Sequence, residues 1–376
     1  MQKASDGGLG RESLVAVAAT LLLAVGPVSA AGSGEDHSQH GGAKADAAAG
    51  GHAGHQMDTG RDALGRRLWG QTHPMSPEMY EELRAKIPLY KDASKATIDM
   101  TMVQMGHEYQ WYISPETLKN DAGVLIMTHG FREQGDKMFR QSLADIAGAL
   151  PTSLSLGMAM MMSDHVQLSI NDLEAAGVDK IVVVPVLSNR YNELMRQWEY
   201  IFGQRDKAEF VTVSQVKSRA RIYLANPPED DPLIAEIIYD HAMEISKDAS
   251  NDFVIIVAHG ASGKYAQHDN PKELAILETL AGYVKEDGGF ADVRAALLQD
   301  DAPPAIREAN VLRLRAMAQA AVDRGQSVLT VTNLIGARTL QPKLRSDAKG
   351  ISQHPNFVEW IGEAVREVLE KPVPST

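Results

Sequence analysis

Two His-Gly pairs in this sequence each follow an apolar run that has the length of a buried strand. His129-Gly130 follows residues 123–128, and His259-Gly260 follows residues 252–258. At the carboxyl end of a parallel strand a side chain faces the crevice where ligands bind, and the glycine permits a tight turn. Imidazole titrates near neutrality and also ligates metals, so each histidine is a candidate for proton transfer or for metal binding. Capping of the turn is the simpler alternative for either one.

The segments around these pairs alternate between strand patterns and helix patterns. Continuous apolar runs indicate buried strands, and apolar residues spaced three and four apart indicate amphipathic helices. Strands and helices that alternate at these lengths predict right-handed βαβ units and a parallel sheet, so the predicted fold class is α/β. In the first half the predicted strands are 123–128, 154–160, 180–187 and 210–216, and the predicted helices are 137–149, 166–176 and 191–202.

The same pattern recurs in the second half of the chain. Residues 252–260 match residues 123–130 at an offset of 130, and residues 324–338 match residues 176–190 at an offset of 148. Two matched segments in the same order predict the duplication of one domain, with an insertion in the second copy. The predicted domains, each a parallel sheet flanked by helices, are residues 119–248 and 249–376.

Composition limits the classes of function. The chain has 376 residues, more than one hydrophobic core usually holds, which favours two domains. Its formal net charge of −12 argues against nucleic acid as a partner, because phosphate contacts need a basic surface. It contains no cysteine, so it has no disulfide, thiolate ligand or cysteine nucleophile. Any metal ion must be bound by His, Asp, Glu, Met or backbone groups.

Residues 1–30 have the pattern of a cleavable secretory signal peptide. Lys3 and Arg11 precede an apolar run at residues 14–25, and Val28 and Ala30 occupy the −3 and −1 positions of a cleavage site. A membrane anchor is the alternative, but it needs about 20 apolar residues and this run is shorter. We therefore expect an exported protein, periplasmic or secreted, with no membrane span after cleavage.

Residues 31–60 are rich in Gly, Ala, Ser and His and nearly free of large apolar side chains. Such a segment buries too little surface to offset its chain entropy, so we predict a disordered tail. Paired imidazoles on a flexible chain bind Zn, Cu, Ni or Co weakly, and a solvated linker is the alternative interpretation. Residues 61–118 form a polar N-terminal extension, with a predicted helix at 77–86 and a predicted extended segment at 97–114. The histidines of the tail are His37, His40, His52 and His55.

Residues 123–345 resemble the class II chelatases, which insert cobalt or iron into sirohydrochlorin. The resemblance is carried by Leu-Ile-Met-Thr-His-Gly-Phe-Arg at 125–132, Leu-Glu-Ala-Ala-Gly at 173–177 and Ile-Val-Val-Val-Pro-Val-Leu at 181–187. These motifs occur in the order found in that family, in its longer, duplicated form. The resemblance implies two similar chelatase-like domains, a divalent metal ion (Co, Fe, Ni or Zn) and a tetrapyrrole as small-molecule ligand, with no organic cofactor.

The resemblance also implies roles for individual residues. His129 occupies the position of the family's metal-handling and proton-accepting histidine. A second family histidine normally follows the Val-rich strand, but residues 188–193 here are Ser-Asn-Arg-Tyr-Asn-Glu. Glu193 is close to that position as a candidate metal ligand or base, and His165 is the alternative source of an imidazole. His259 is the corresponding candidate ligand of the second domain, which we expect to be the weaker site.

Three functions compete on this basis. The first is a chelatase that binds a divalent metal ion and inserts it into a tetrapyrrole such as sirohydrochlorin. The second is an exported metal-binding or metal-carrier protein without catalysis, which the predicted export and the missing second histidine favour. The third is a hydrolase, because residues 257–263 resemble the His-Gly region of esterases. The sequence contains no Gly-x-Ser-x-Gly, so the third function is disfavoured.

Overall fold

The computed structural model describes most of the chain beyond residue 59. The predicted signal peptide and nearly all of the predicted tail, including His37, His40, His52 and His55, lie outside the described residues. No helix in the described part of the chain is long and apolar enough to cross a membrane. The described residues are 60–68, 75–105, 109–157, 162–336, 345–347 and 349–371.

The strands of the described residues form two sheets. In chain order they are β1 (Arg66–Leu68), β2 (Tyr109–Tyr112), β3 (Ala122–Thr128), β4 (Thr152–Leu156), β5 (Lys180–Pro185), β6 (Arg221–Leu224), β7 (Asp252–Ala258), β8 (Asp292–Leu297), β9 (Ser327–Thr332) and β10 (Arg345–Ser346). The first sheet has the order β1-β2-β4-β3-β5-β6, and the second has the order β10-β9-β7-β8. Pairs that involve β1 or β2 are antiparallel, and the other pairs are parallel. The fold is therefore α/β with mostly parallel sheets, as predicted.

Helices connect the successive parallel strands. In chain order they are α1 (Pro77–Lys86), α2 (Lys95–Met105), α3 (Arg132–Ser142), α4 (Ala144–Ala149), α5 (Asp164–Ala175), α6 (Glu193–Ile201), α7 (Pro232–Ile245), α8 (Ala266–Gly288), α9 (Pro304–Asp323) and α10 (Pro355–Glu370). Local chemistry defines several of their ends. Asp231 caps α7 by accepting the N–H of Leu233 at 2.8 Å, and Gly289, with a φ of +59°, ends α8.

The central strands β3 and β7 are buried along their whole length. All seven residues of each strand are buried, which explains why both are nearly continuous apolar runs. The register pairs Thr128 with Leu156 of β4, and Ala258 with Leu297 of β8, so neighbouring strands end at the same edge of each sheet. The residue that follows each central strand is the histidine of a His-Gly pair.

The two sheets repeat one strand order. Across the first sheet β4-β3-β5-β6 lie side by side, and across the second β8-β7-β9-β10 do so. Each series places the second, first, third and fourth parallel strands of its half next to one another. The matched sequence segments occupy equivalent places, because β3 corresponds to β7 and β5 to β9. A common origin of the halves and the proposed domain boundaries stay predictions.

One hydrophobic core spans both sheets. Buried side chains of β3 and β5 share a cluster with those of β7 and β9, and α7, α8 and α10 contribute to it. The helix α7 packs on α8 and β9, whereas the last helix, α10, packs on α7 and on β5 of the first sheet. The halves are therefore joined by helices that reach from one half to the other.

The predicted extended segment 97–114 differs in the structure, where residues 97–105 belong to α2 and residues 109–112 form β2. Ser94 caps the first turn of α2, because its Oγ accepts the N–H of Thr97 at 3.1 Å. The methionines of this segment follow that cap, and Met is a good helix former. Among the described residues of this segment, those of β2 form a strand.

The predicted strand 210–216 is also wrong, because this segment is irregular and β6 comes later in the chain. Its backbone is bonded by side chains instead of by a neighbouring strand. Gln197 donates its Nε2 to the carbonyl oxygen of Val211 at 2.9 Å, and the Tyr200 hydroxyl donates to that of Val213 at 2.8 Å. Val211 is buried, so the alternation of apolar residues is real although no strand forms.

Candidate functional site

His129 follows β3 and begins a turn whose backbone favours glycine. Gly130 has a φ of +91°, in the left-handed region that side chains disfavour. The Nδ1 atom of His129 lies 2.9 Å from the carbonyl oxygen of Gly130. Because a carbonyl oxygen only accepts, Nδ1 carries a proton, and Nε2 is the ring nitrogen that this contact leaves unused. The side chain is exposed and Nε2 bonds to no described residue, so it is open to a metal ion or a proton.

Asp136 supports the turn that His129 begins. Its Oδ1 accepts the backbone N–H of Phe131 at 2.6 Å, and its Oδ2 accepts the hydroxyl of Tyr109. Burial raises the pKa of Asp136, and burial together with the Asp136 contact raises the pKa of Tyr109. Tyr109 belongs to β2, so the antiparallel edge of the first sheet helps to position this turn.

His259 begins an equivalent turn after β7. Its Nδ1 lies 2.9 Å from the carbonyl oxygen of Gly260, which has a φ of +77°. In contrast to His129, its Nε2 lies 3.2 Å from Oδ2 of Asp301. Burial lowers the pKa of His259, but the hydrogen bond and the charge of Asp301 outweigh burial and raise this pKa to about 9. At neutral pH His259 is therefore an imidazolium with protons on both ring nitrogens.

The loop after β8 brings Asp301 to His259. Gln299, at a φ of +51°, donates its backbone N–H to the carbonyl oxygen of His259 at 2.6 Å and its Nε2 to that of Ala261 at 2.8 Å. Asn310 of α9 donates to Oε1 of Gln299 at 2.9 Å. Asp301 was not among the site residues predicted from the sequence. Its position just after the strand beside β7 is the signal that could have identified it.

Glu273 of α8 is a buried carboxyl group next to the second turn. It is 4% exposed, and the backbone N–H of Gly260 and the side-chain amide of Asn189 donate to it. Burial raises the pKa of Glu273 to about 7 from its ordinary value of 4.5. The charge of Glu193 adds to this rise and the charge of His259 opposes it. Asn189 and Glu193 come from the first half, so Glu273 lies where the halves meet.

Glu193, the predicted partner of His129, is the first residue of α6. Its Oε1 accepts the backbone N–H of Ser262 at 3.0 Å and that of Gly263 at 2.7 Å. Both residues belong to the loop between His259 and α8. The structure therefore joins Glu193 to the second half, and no hydrogen bond or ion pair links it to His129 among the described residues.

His165, the other predicted source of an imidazole, lies in the first turn of α5 and is fully buried. Its carbonyl oxygen accepts the Oγ of Ser155 at 3.3 Å, and its neighbour Val166 belongs to the core on the outer face of the first sheet. The enclosed ring of His165 thus differs from the exposed ring of His129.

The loops that follow the parallel strands of the first sheet contact those of the second sheet, and we call this region the junction. A Cβ placed on Gly336, after β9, would lie 3.5 Å from the ring of Phe131, in the turn after His129. The loop after His259 is in turn held by Glu193. Both His-Gly turns therefore belong to the junction.

The candidate ligands do not form a complete metal site. Among the described residues no group of three or more His, Asp or Glu side chains is placed to hold a metal ion. A metal ion at His129 would take its further ligands from solvent or from a bound small molecule.

A cavity of about 930 Å³ opens between the loop after β6 and α10. Glu229, Asp231 and Glu363 line it, and Arg190 on its side forms an ion pair with Glu229. Neither histidine of the His-Gly pairs lines this cavity. The lining of the cavity therefore does not include the two histidines, and it combines acidic side chains with apolar ones.

Comparison with known proteins finds solved structures that are similar to this chain. No protein-family model matches the sequence, and no curated protein matches it. SirB from Bacillus subtilis with Fe3+ is similar at 15% identity and a TM-score of 0.48, over 67% of this chain and 96% of that chain. DR2241 from Deinococcus radiodurans, a multi-domain protein with structural similarity to chelatases, is similar at 15% identity and a TM-score of 0.41, over 66% of this chain and 56% of that one. At 15% identity and TM-scores below 0.5, these similarities do not assign a function to this chain.

Proposed function

We propose that this protein is a chelatase-like protein that binds a divalent metal ion at His129 and delivers it to a tetrapyrrole such as sirohydrochlorin. One observation carries the proposal. Two equivalent His-Gly turns lie at the junction, and Nε2 of His129 is open while Nε2 of His259 pairs with Asp301. The motifs at 125–132, 173–177 and 181–187, which resemble those of class II chelatases, support it.

Metal insertion sets the chemical requirements. A divalent ion that enters a tetrapyrrole replaces two pyrrole N–H protons, so a ligand and a base are needed at one place. Nε2 of His129 is suited to either role, one at a time. The ring of His259 is protonated at neutral pH, and a ligating imidazole must first lose that proton. We therefore assign the metal ion, Co, Fe, Ni or Zn, to His129, with His259 as a cation beside Asp301.

A metal carrier without catalysis is the second candidate. A single open imidazole, with no group of three ligands among the described residues, holds a divalent ion weakly, which suits capture and transfer. Export to the periplasm or the medium, proposed from residues 1–30, favours this candidate, because siroheme and cobalamin synthesis normally take place in the cytoplasm. The proposed tail, residues 31–60, would add weak metal sites at its four histidines.

The experiment compares wild type with His129→Ala. Cobalt titration by calorimetry should show an affinity lower by tenfold or more in the variant, a difference of about 1.4 kcal/mol. The melting temperature should stay nearly unchanged, because the His129 side chain is exposed. His268→Ala is the matched control, since it removes another exposed imidazole, in the first turn of α8 and not in a His-Gly turn. A second protein without residues 31–60 measures the metal bound by the tail.

The outcomes separate the two candidates. Turnover of sirohydrochlorin with cobalt, followed by absorbance and lost in His129→Ala, supports the chelatase. Cobalt binding that depends on His129 but gives no turnover supports the carrier. Equal cobalt affinity in wild type and His129→Ala contradicts both, and a large fall in melting temperature would make His129 a structural residue.

A further inference from the structure

Glu193 makes an unusual contact for a carboxylate at the start of a helix. Such a side chain normally interacts with the free N–H groups of its own helix. In α6 that place is taken by Asn192, whose Oδ1 accepts the N–H of Leu194 at 2.8 Å. Oε1 of Glu193 instead accepts two backbone N–H groups from the other half, those of Ser262 and Gly263.

The loop that Glu193 contacts is shaped for this approach. A Cβ on residue 263 would lie 3.0 Å from Oε1 of Glu193, so a side chain there would push the carboxylate away. Gly263 therefore permits this close contact without a shift of the carboxylate, and it has no positive φ that would call for glycine. Hydrogen bonds to a carboxylate are roughly twice as strong as neutral ones, so this pair of bonds is a substantial restraint.

The loop after His259 forms hydrogen bonds at two places, one with a residue of each half. Its first part is held by the second half, where Asn270 Oδ1 accepts the N–H of Ala261 at 2.7 Å and Asn270 Nδ2 donates to the Ala261 carbonyl oxygen at 3.0 Å. Its next two residues are held by Glu193 of the first half. His259 lies immediately before this loop, so both sets of hydrogen bonds help to position its ring.

Further contacts place α6 against this loop and the start of α8. One turn after Glu193, Arg196 forms a buried ion pair with Asp269 at 2.8 Å, and its guanidinium lies 4.6 Å from the centre of the Tyr265 ring. Before α6, Asn189 donates to the buried Glu273. Together these contacts place one face of the first half against the segment between the His259 turn and the first turns of α8.

We propose that Glu193 is a positioning residue that holds the His259 turn against the first half and so sets the separation of the two His-Gly turns. We therefore do not assign Glu193 as the second metal ligand, because its Oε1 already accepts two backbone N–H groups. The positioning role itself stands without metal chemistry. Its consequence for metal affinity rests on the proposed function.

The first test measures amide hydrogen exchange in the full-length mature protein. In Glu193→Ala the amides of Ser262 and Gly263 should exchange at least about tenfold faster than in wild type, because their acceptor is gone. Glu193→Gln keeps a neutral acceptor, so its exchange should be intermediate. Glu199→Gln is the matched control on the same helix, where Glu199 pairs with Arg205, and should leave these amides unchanged. Unchanged exchange in Glu193→Ala overturns the proposal.

The second test separates positioning from ligation by cobalt titration of the same variants. For a positioning residue, Glu193→Gln should bind cobalt within about threefold of wild type, because the amide oxygen still accepts from the loop. A metal ligand would lose affinity equally in Glu193→Gln and Glu193→Ala, and that result overturns the proposal. If wild type binds no cobalt, the proposed function fails while the exchange data still decide the role of Glu193. Circular dichroism confirms that each variant is folded.

Discussion

Oδ2 of Asp301 lies 3.2 Å from Nε2 of His259, while the rings of His259 and His129 share the same 2.9 Å contact between Nδ1 and the following glycine. A single carboxylate on the loop after β8 therefore makes a cation of one imidazole. Nε2 of His129 has no such carboxylate partner among the described residues. Two copies of one backbone turn thus have different chemistry, and the difference resides in a neighbouring loop.

We expect Asp301→Asn to lower the pKa of His259 from about 9 towards or below its ordinary value of 6.5. Without the carboxylate, burial is opposed only by weaker contacts and disfavours the imidazolium. Nitrogen shifts of the ring, followed by NMR from pH 5 to 10, measure this directly. Asp300→Asn is the matched control and should have a smaller effect, because the charge of Asp300 contributes less to the pKa of His259 and Asp300 pairs with Arg307 at 2.9 Å.

The same pair predicts a pH dependence of stability. A histidine whose pKa is raised in the folded state stabilises the protein fully below pH 6.5, and this contribution is lost as the pH rises to about 9. Wild type should therefore exceed Asp301→Asn in unfolding free energy at pH 6 but not at pH 9.5. The difference should be about 1 kcal/mol or less, because both side chains are partly exposed to solvent. A wild-type His259 that titrates near 6.5 contradicts both expectations.

We expect Glu273→Gln to stabilise the protein above pH 7. The folded state binds a proton at Glu273 between pH 4.5 and about 7 that the unfolded state releases, so stability falls as the pH rises through this range. The two pKa values differ by an amount that corresponds to about 3 kcal/mol at pH 8. Gln resembles the protonated carboxyl group, so the variant and wild type should be similar at pH 5.

Urea unfolding at pH 5 and pH 8 measures this effect. Glu278→Gln, an exposed position of the same helix, is the matched control and should change stability equally little at both values. A Glu273→Gln variant that is less stable than wild type at pH 8 would show that the ionised carboxylate is needed for its bonds with Gly260 and Asn189.

The sequence was sufficient to predict the elements that carry the two histidines. The strands β3, β5 and β7 are apolar runs buried on both faces, and hydrophobic pattern alone identifies such strands. The strand order could not be predicted in the same way. β1 has three residues and pairs with β2 far along the chain, so its pairing depends on tertiary contacts that no local pattern encodes.

The surroundings of the site were harder to predict than its histidines. Asp301 is 42 residues from His259 in the chain and reaches it through the register of β7 with β8. Glu193 was predicted as a site residue from its position after β5, but its partners Ser262 and Gly263 depend on how the halves pack. The burial of His165 likewise depends on which face of α5 meets the sheet. Each of these facts is a property of packing between distant segments.

The last prediction concerns the ion pair beside the proposed positioning contact. Arg196 contacts Asp269 at 2.8 Å and Glu209 at 3.4 Å, and the three side chains are at most 10% exposed. Arg196→Met removes the cation that the two buried carboxylates share, while Glu209 keeps Lys264 at 3.7 Å and Asp269 keeps His268 at 2.9 Å. We therefore expect a loss of about 3 kcal/mol in the free energy of unfolding. Asp269→Asn should cost less, because Glu209 still balances the charge of Arg196.

Urea unfolding of both variants at pH 7 tests this order. Arg205→Met removes a partly exposed ion pair with Glu199 on the same helix and should cost less than about 1 kcal/mol. Should Asp269→Asn prove as costly as Arg196→Met, Glu209 does not share the charge of Arg196, and the two-carboxylate arrangement is wrong. Should Arg196→Met cost no more than Arg205→Met, the Arg196 ion pairs contribute little to joining the halves. Glu193 would then hold the His259 turn without the support of a neighbouring ion pair.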